Sequence, residues 1–178
     1  MNQKDTVGQQ GQVTVTEVKV FEVDLFTYVK VHTDAGVIGV GEMHPASNTA
    51  GNRLVTTPSL QFCAEYLVGK DPTAIERHWQ HLFRRSLFRG GADSMAAIAA
   101  IDMALWDIAG KLVGLPIYRL LGGPTREKVR LFAALGGGPS PEALAEQVVE
   151  KVEQGFTAVR FNPFRGNPQA FAAMGFNQ

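Results

Sequence analysis

The chain has 178 residues, enough for one domain and a substantial part of a second. Apolar residues make up 45% of the sequence and charged residues 19%, a globular composition that argues against wholesale disorder. The 17 basic residues balance the 17 acidic ones, so no overall electric field attracts nucleic acid or an anionic membrane.

The cysteine content and the distribution of apolar residues exclude further classes of protein. A single cysteine, Cys63, rules out an internal disulfide framework and a multi-cysteine zinc site. The longest uninterrupted apolar stretch, residues 95–101, is far shorter than the ~20 residues that span a bilayer. Residues 1–12 are polar and lack the apolar segment of a signal peptide. We therefore expect a flexible N-terminal tail on a cytoplasmic protein, with no nucleic-acid or membrane partner.

Three short strands are the first elements that the sequence predicts. Valines at positions 13, 15, 18 and 20 alternate with polar residues, with one break, as in a half-buried strand. A second strand is predicted over residues 26–33, and Asp34-Ala35-Gly36 predicts a turn into a third strand over residues 37–42. The short break at residues 22–25 completes the pattern of an antiparallel meander.

Helices follow the three strands. Residues 43–56 predict a long polar loop, and Thr57-Pro58 predicts the start of the first helix. Asp71-Pro72 predicts the start of the second helix. The third helix, over about residues 93–113, carries alanine at six positions, so small or apolar residues cover most of its surface. We expect this helix to be central and closely approached by its neighbours.

The pattern changes after residue 124. Residues 129–135 predict a buried strand, Ser140-Pro141 predicts the start of a helix, and residues 157–162 predict a second strand. The helix positions expected to face inward are Leu144, Val148, Val149 and Val152. Strand, helix and strand together predict a βαβ unit, the repeat of a parallel sheet or a (β/α) barrel.

Three stretches of the sequence resemble a known family of enzymes. They are GVIGVGE (residues 36–42), IDMALWDIAGKLVGLPIYRLLGG (residues 101–123) and GFTAVRFNP (residues 155–163). Together they resemble the enolase superfamily, in the branch of mandelate racemase and the muconate-lactonising enzymes, over about residues 13–165. Phe88-Arg89-Gly90-Gly91 and Asn162 are most similar to the acid-sugar dehydratases of that branch, the galactonate dehydratase type.

This resemblance implies an architecture and a reaction. It implies an α+β capping domain over residues 13–125, a three-stranded antiparallel sheet with a helix bundle, and the start of a (β/α)7β barrel over residues 126–178. Members of the family abstract a proton α to a carboxylate and stabilise the enediolate on Mg²⁺, and the dehydratases then eliminate water from a sugar acid. A barrel needs about 250 residues, so we expect this chain to be an N-terminal portion with a truncated barrel.

The resemblance also implies candidate residues at the end of the second barrel strand. Racemases of the superfamily have a Lys-x-Lys pair there, where this chain has Arg160-Phe161-Asn162. Neither arginine nor asparagine is a credible general base, because one stays protonated and the other does not titrate. Arg160 is expected to supply positive charge and Asn162 a hydrogen bond; the alternative is that both only finish a strand. The missing lysine favours a dehydratase, with a racemase or cycloisomerase as the alternative.

Residues 43–56 correspond to a loop that closes over the substrate in this family. His44, Asn48, Asn52 and Arg53 are the candidate contacts to a sugar acid, and a merely solvated loop is the alternative. The three carboxylate metal ligands of the family belong to later barrel strands, so we expect no metal on this chain and no activity from it alone. A non-catalytic capping or assembly module is the alternative from another class.

Three further expectations concern association and isolated side chains. An incomplete barrel leaves strand edges and apolar faces open, which predicts a homo-oligomer or other self-association. His78 and His81 are close enough along one helix to share a metal ion, but no carboxylate at a suitable spacing accompanies them, which favours packing and exposure. Cys63, on an apolar helix face, is expected to be a core thiol.

Overall fold

The structure is a computed structural model, and it describes residues 13–23, 26–43, 50–85, 91–136 and 140–162. The side chains of residues 50–57 and 93 lie outside this description, as does the expected flexible tail at residues 1–12. The chain divides into two compact units, Met1–Pro124 and Thr125–Gln178.

The first unit is built on a three-stranded antiparallel sheet in the order β1-β2-β3, as the sequence predicts. The strands are β1 (Val15–Val23), β2 (Phe26–Thr33) and β3 (Ile38–Met43). The break in the valine alternation is a β-bulge, because Val15 pairs with Thr33 whereas Glu17 pairs with His32. The extra residue moves the inward face of β1 from odd to even positions.

The helices of this unit are α1 (Ala50–Leu67), α2 (Ile75–Arg84), α3 (Ala92–Val113) and α4 (Ile117–Leu120). The core lies between the sheet and these helices, and α3 is at its centre, with Ala97, Ile101 and Ile108 all buried. Within the described ranges, none of the helices combines the length and the apolar character needed to cross a bilayer.

α3 packs against β3 with its backbone almost in contact with the strand. A Cβ atom on Gly41 would lie 1.9 Å from the carbonyl oxygen of Ala100, and one on Gly39 would lie 2.1 Å from that of Ala104. Both distances are far below van der Waals contact, so only glycine fits at these two positions of the strand. The expectation of a closely approached central helix is confirmed, and two glycines of GVIGVGE, Gly39 and Gly41, lie directly against it.

Two side chains of α3 cover the outer edge of β3. The carboxylate of Asp107 accepts a hydrogen bond from the Val40 N–H at 2.9 Å, and the Lys111 ammonium donates to the Ile38 carbonyl at 2.7 Å. Lys111 also donates to Asp107, at 2.7 Å. Backbone groups that point away from β2 are thereby satisfied at this edge.

The first helix begins earlier than the sequence predicts. α1 starts at Ala50 instead of Thr57, so residues 50–56, expected to be part of a polar loop, are helical. Pro58 consequently lies inside the helix. Proline removes one backbone N–H and clashes with the carbonyl four residues earlier, but a helix continues across it with a kink. The Thr-Pro pair therefore did not mark the helix start.

The second unit contains a β-α-β arrangement, as predicted. β4 (Ala133–Ala134) and β5 (Val159–Arg160) are parallel, and α5 (Pro141–Glu153) lies between them in sequence. The Ala133 N–H donates to the Ala158 carbonyl at 3.0 Å, and the Leu135 N–H donates to the Arg160 carbonyl at 2.8 Å. The predicted start of α5 at Ser140-Pro141 is confirmed, and the Ser140 hydroxyl caps the helix by accepting the Ala143 N–H.

Two details of the second unit were predicted wrongly. The buried strand expected over residues 129–135 is only two residues long, and Val129 and Leu131 are 71% and 69% exposed. Val149 and Val152, expected to face inward, are also exposed. The spacing of apolar residues indicates which side chains can be buried, but burial also requires a second surface to pack against. Two strands of two paired residues each are too short to provide that surface.

Replacing Gly41 with alanine should destabilise the first unit strongly. The added methyl group would overlap the Ala100 carbonyl, and the resulting separation of α3 from β3 should cost about 2–3 kcal/mol of unfolding free energy. Gly36→Ala is the matched control, because an added Cβ at Gly36 would meet open space. Only the left-handed backbone conformation of Gly36 disfavours alanine there, with an expected cost of about 1 kcal/mol of unfolding free energy. Urea unfolding measures both, and equal losses would contradict the close packing of α3.

Replacing Asp102 with asparagine should stabilise the fold near neutral pH. Burial raises the pKa of this carboxyl on α3, and the negative charge of Glu76 raises it further. The folded state therefore binds the proton more tightly than the unfolded state, so the charged carboxylate destabilises the fold above its raised pKa and stability returns as the pH falls through that pKa.

Because Asp102 is only partly buried, we expect Asp102→Asn to raise Tm at pH 7 by a modest amount, roughly 2–4 °C, and to have no effect at about pH 3. Glu65→Gln is the control, because Glu65 is exposed on α1; its change in Tm measures the effect of removing one negative charge from the surface. A stabilisation by Asp102→Asn that persists at about pH 3 would show that the charge of Asp102 is not the cause of the destabilisation. Thermal melts at both pH values distinguish the outcomes.

Candidate functional site

β1 and β3 finish, and β2 begins, at one end of the sheet of the first unit. Val23 pairs with Phe26, and Thr27 pairs with Met43, so these four residues lie at the same side of the sheet. We call this side the loop end. The turn at Gly36 lies at the opposite end, since it joins the other ends of β2 and β3.

The first turns of α1 and α3 lie at the loop end. α3 runs antiparallel to β3, because Gly41 packs on Ala100 and Gly39 packs on Ala104. α1 finishes at the opposite end, where the Lys70 carbonyl accepts the Val15 N–H at 2.9 Å. The unpaired N–H groups of a helix N-terminus carry partial positive charge, so two such termini favour an anionic group at the loop end.

The residues expected to contact the substrate are only partly placed by the structure. Asn52 and Arg53 belong to the first turn of α1 and therefore lie at the loop end, although in a helix and not in the predicted loop. His44 and Asn48 fall within residues 44–49, outside the described residues. The backbone thus brings two of the four candidates to one place.

The other candidate position is the carboxyl edge of β4 and β5. Arg160 ends β5 and pairs with Ala134, the last residue of β4, so the residues that follow both strands emerge on one side. The guanidinium carbon of Arg160 lies 5.9 Å from the centre of the Phe132 ring, a cation–π distance. Arg160 is exposed and belongs to the face opposite the buried Ala133, and Asn162, also exposed, follows two residues after the end of β5.

Arg130 fixes the other ends of these two strands. Its Nε donates to the Thr157 hydroxyl at 2.9 Å, and a terminal nitrogen donates to the Thr157 carbonyl. Arg130 precedes β4 and Thr157 precedes β5, so this contact keeps the strand ends in register. The sequence analysis did not identify Arg130. The feature that could have indicated it is a basic residue shortly before one strand and a hydroxyl residue shortly before the neighbouring strand.

Among the described residues, no three His, Cys, Asp or Glu side chains come together to hold a metal ion. His78 is buried; its Nε2 lies 2.8 Å from the Asp71 carbonyl and its Nδ1 lies 3.1 Å from the Tyr66 hydroxyl. Because a carbonyl only accepts, the N–H at Nε2 donates to Asp71, and Nδ1 shares a hydrogen bond with the Tyr66 hydroxyl. His81 stacks on the Tyr66 ring at 4.1 Å. Both histidines thus make packing contacts with Tyr66.

The thiol of Cys63 is part of the core, as the sequence predicts. It is buried on α1, and burial raises its pKa, an effect that the positive charge of Arg85 opposes. A thiol with a raised pKa is not ionised near neutrality and is a poor nucleophile.

Comparison with known families accounts for the sheet and helices of the first unit and for the short parallel sheet that follows them. The family model described as "Mandelate racemase / muconate lactonizing enzyme, N-terminal domain" matches residues 7–122, more than half of the chain. The chain belongs to this family. The first unit has the fold of the enolase-type capping domain, and the short parallel sheet matches the start of the barrel that follows it.

Individual relatives are dehydratases or enolases by name. D-galactonate dehydratase of Xanthomonas euvesicatoria pv. vesicatoria is 42% identical over 135 residues, 76% of this chain and 34% of the relative. The chain therefore spans about a third of the length of the curated relatives it matches. A solved putative dehydratase from Salmonella enterica serovar Typhimurium matches with a TM-score of 0.80 and 32% identity, over 89% of this chain and 46% of that one.

A third match is a solved structure with a bound ligand. The enolase from Pantoea ananatis, solved with D-gluconate and Mg, has a TM-score of 0.74 and 30% identity. The match covers 84% of this chain and 36% of that one. The resemblance to the enolase superfamily, recognised in residues 36–42, 101–123 and 155–163, is thus confirmed, and the galactonate dehydratases among the relatives agree with the resemblance based on residues 88–91 and Asn162.

Proposed function

We propose that this chain is the N-terminal part of an acid-sugar dehydratase and that the loop end of its sheet covers the substrate. The observation that carries the proposal is the convergence of two helix N-termini at the end of the sheet where β1 and β3 finish. A sugar acid is an anion near neutral pH, and helix N-termini favour anions. The names of the relatives and the D-gluconate in a related structure support a sugar acid as the substrate.

At the loop end, we assign substrate contacts to the four residues that the sequence singled out. Arg53 supplies a permanent charge and a planar set of donors that suit a carboxylate. Asn52 and Asn48 offer amide groups, and His44 an imidazole, that hydrogen-bond the hydroxyl groups of a polyhydroxy acid. Asn52 and Arg53 act from the first turn of α1.

At the strand ends, we assign Arg160 and Asn162 to the reacting part of the substrate. The positive charge of Arg160 stabilises negative charge that develops when a proton leaves the carbon next to the carboxylate. Asn162 donates or accepts a hydrogen bond at the same place. Neither residue takes the proton, so the proposal leaves the general base to later barrel strands, as in the family.

The Mg²⁺ of the family does not fit the described residues. Mg²⁺ requires several oxygen ligands in near-octahedral geometry, usually including carboxylates. The strand ends described here offer one neutral amide oxygen, that of Asn162, and Glu142, Glu146 and Glu150 are exposed along α5. In this proposal Arg160 and Asn162 therefore act on the substrate directly, and no metal is assigned to them.

A non-catalytic capping or assembly module is the second candidate function. It is favoured by one observation: the described residues bring together no cluster of three His, Cys, Asp or Glu side chains that could hold a metal ion. A racemase or cycloisomerase is disfavoured, because Arg160 and Asn162 stand where a racemase has its lysine pair.

The 178-residue polypeptide should bind Mg²⁺ weakly and should not dehydrate sugar acids. One neutral amide oxygen does not compete with hydration water for the ion, so calorimetric titration should give a dissociation constant above about 1 mM. A screen of sugar acids for the 2-keto product should be negative. Micromolar Mg²⁺ binding, or turnover by the purified polypeptide, would show that the active site lies elsewhere in the chain.

A chimera tests the proposed role of the loop end. In it, residues 13–124 replace the matching part of the Xanthomonas D-galactonate dehydratase, and we expect 2-keto product from D-galactonate or D-gluconate. Arg53→Ala in this chimera should lower kcat/KM about 10- to 100-fold, because a charged hydrogen bond to the substrate is lost.

Lys70→Ala is the matched control, since it removes the same charge just after the opposite end of α1. It should change kcat/KM by less than about twofold. A folded chimera without turnover would favour the assembly module. Equal losses in the two variants would contradict a contact between Arg53 and the substrate.

A further inference from the structure

The two strands that bring Arg160 to the carboxyl edge of the second unit are very short. They pair through two residues each, Ala133 with Val159 and Ala134 with Arg160. Strands in globular proteins usually have about five or six residues, so a ladder of this length holds its register weakly. Because Arg160 is one of the paired residues, the place of its charge depends on how β5 stands against β4.

A change of register would remove Arg160 from that place. Successive residues of a strand face opposite sides of the sheet, so a shift of one residue turns the Arg160 side chain to the other face. A shift of two residues keeps the face but moves the side chain along the strand by about 6.6 Å. Donors that stabilise a developing negative charge must lie within about 3 Å of it. The register therefore decides whether Arg160 can act on the substrate.

Arg130 joins the two chain segments just before the paired residues. Its Nε donates to the Thr157 hydroxyl at 2.9 Å, and a terminal nitrogen donates to the Thr157 carbonyl. The guanidinium is a rigid plane, so two hydrogen bonds to one residue fix both the distance and the direction of approach. The single contact of an ammonium group would leave the strand free to turn about it.

The constraint at Thr157 reaches Arg160 through a short segment of chain. The Ala158 carbonyl, next to Thr157, accepts the Ala133 N–H at 3.0 Å. The Arg160 carbonyl, two residues further on, accepts the Leu135 N–H at 2.8 Å. These contacts follow one another along the same pair of strands, so a Thr157 that is held in place favours the register in which both backbone bonds form.

Phe132 adds a constraint on the Arg160 side chain itself. The guanidinium carbon of Arg160 lies 5.9 Å from the centre of the Phe132 ring, and Phe132 directly precedes β4. Phe132 is two residues after Arg130, so the segment that holds Thr157 also presents this ring. The backbone position and the side-chain direction of Arg160 thus both depend on residues 130–132.

We infer that Arg130 is a positioning residue for the reaction: by holding Thr157 it sets the register of β5 against β4 and thereby places Arg160 at the carboxyl edge. This inference rests on the role proposed for Arg160. It gives Arg130 no contact with the substrate, because the guanidinium of Arg130 donates to Thr157 at the opposite ends of the strands. Arg130 is exposed, so its replacement removes little packing.

Hydrogen exchange in the full 178-residue chain tests the effect on the register. The Leu135 N–H is the reporter, because its acceptor is the carbonyl of Arg160. Arg130→Met should speed the exchange of this N–H roughly tenfold, since two hydrogen bonds to Thr157 are lost. Arg126→Met is the matched control, because it removes the same side chain from an exposed position four residues earlier. It should change the rate by less than about twofold.

Thr157→Val is a milder variant that keeps the carbonyl acceptor and removes only the hydroxyl. It should speed the exchange of the Leu135 N–H by roughly threefold, the effect of one hydrogen bond. The amides of α5 report on the second unit as a whole. An Arg130→Met variant in which exchange at Leu135 is unchanged overturns the inference. Equal acceleration at Leu135 and throughout α5 also overturns it, because the contact then stabilises the unit without setting the register.

A longer chimera tests the effect on the reaction. In it, residues 13–162 replace the matching part of the Xanthomonas D-galactonate dehydratase. Arg160→Met should lower kcat about 100-fold, and Arg130→Met about tenfold with KM nearly unchanged, because the charge of Arg160 is displaced and not removed. Arg130→Lys keeps the charge and one hydrogen bond, and its kcat should lie between those of the chimera and Arg130→Met.

The double variant shows whether Arg130 acts through Arg160. In the Arg160→Met background, Arg130→Met should change kcat by less than about twofold, because residues that act through one another are not additive. If Arg160→Met alone leaves kcat unchanged, the role proposed for Arg160 is wrong, and the positioning role is wrong with it. If Arg160→Met lowers kcat but Arg130→Met does not, or if the two losses multiply in the double variant, only the inference about Arg130 is overturned.

Discussion

The first unit depends on how closely α3 lies on β3. Gly39 and Gly41 remove side chains from the strand, and Ala100 and Ala104 keep the facing turns of the helix small, so the two backbones touch. This contact sets the distance at which Asp107 and Lys111 reach the edge of β3. It also fixes the direction of α3, which is why the helix N-terminus lies at the loop end.

Much of this fold could be predicted from local sequence patterns. The alternation of valines located β1, and the break in that alternation is the bulge that follows Val15. The start of α1 could not be predicted in this way, because Pro58 imitates a helix N-terminus although it lies within the helix. The exposure of Val149 and Leu131 was also missed, since burial depends on a partner surface that the local pattern does not contain.

The candidate site was predictable to a smaller extent. Resemblance identified Arg53 and Arg160 as residues of interest, and the backbone places the first at the loop end and the second at the carboxyl edge of β5. The meeting of two helix N-termini was not visible in the sequence, because it depends on the directions of α1, α3 and β3 in space. The contact of Arg130 with Thr157 likewise joins residues that are distant along the chain.

The β3 edge of the described sheet is covered in a way that limits growth of the sheet. At β3, the charged pair Asp107–Lys111 occupies the backbone groups that a further strand would need. A further strand therefore finds backbone partners at the β3 edge of the described sheet already taken. Stacking of sheets edge to edge into a fibre requires two open edges on each molecule. The Trp-Asp-Ile-Ala-Gly-Lys segment of α3 therefore also protects the protein against open-ended polymerisation.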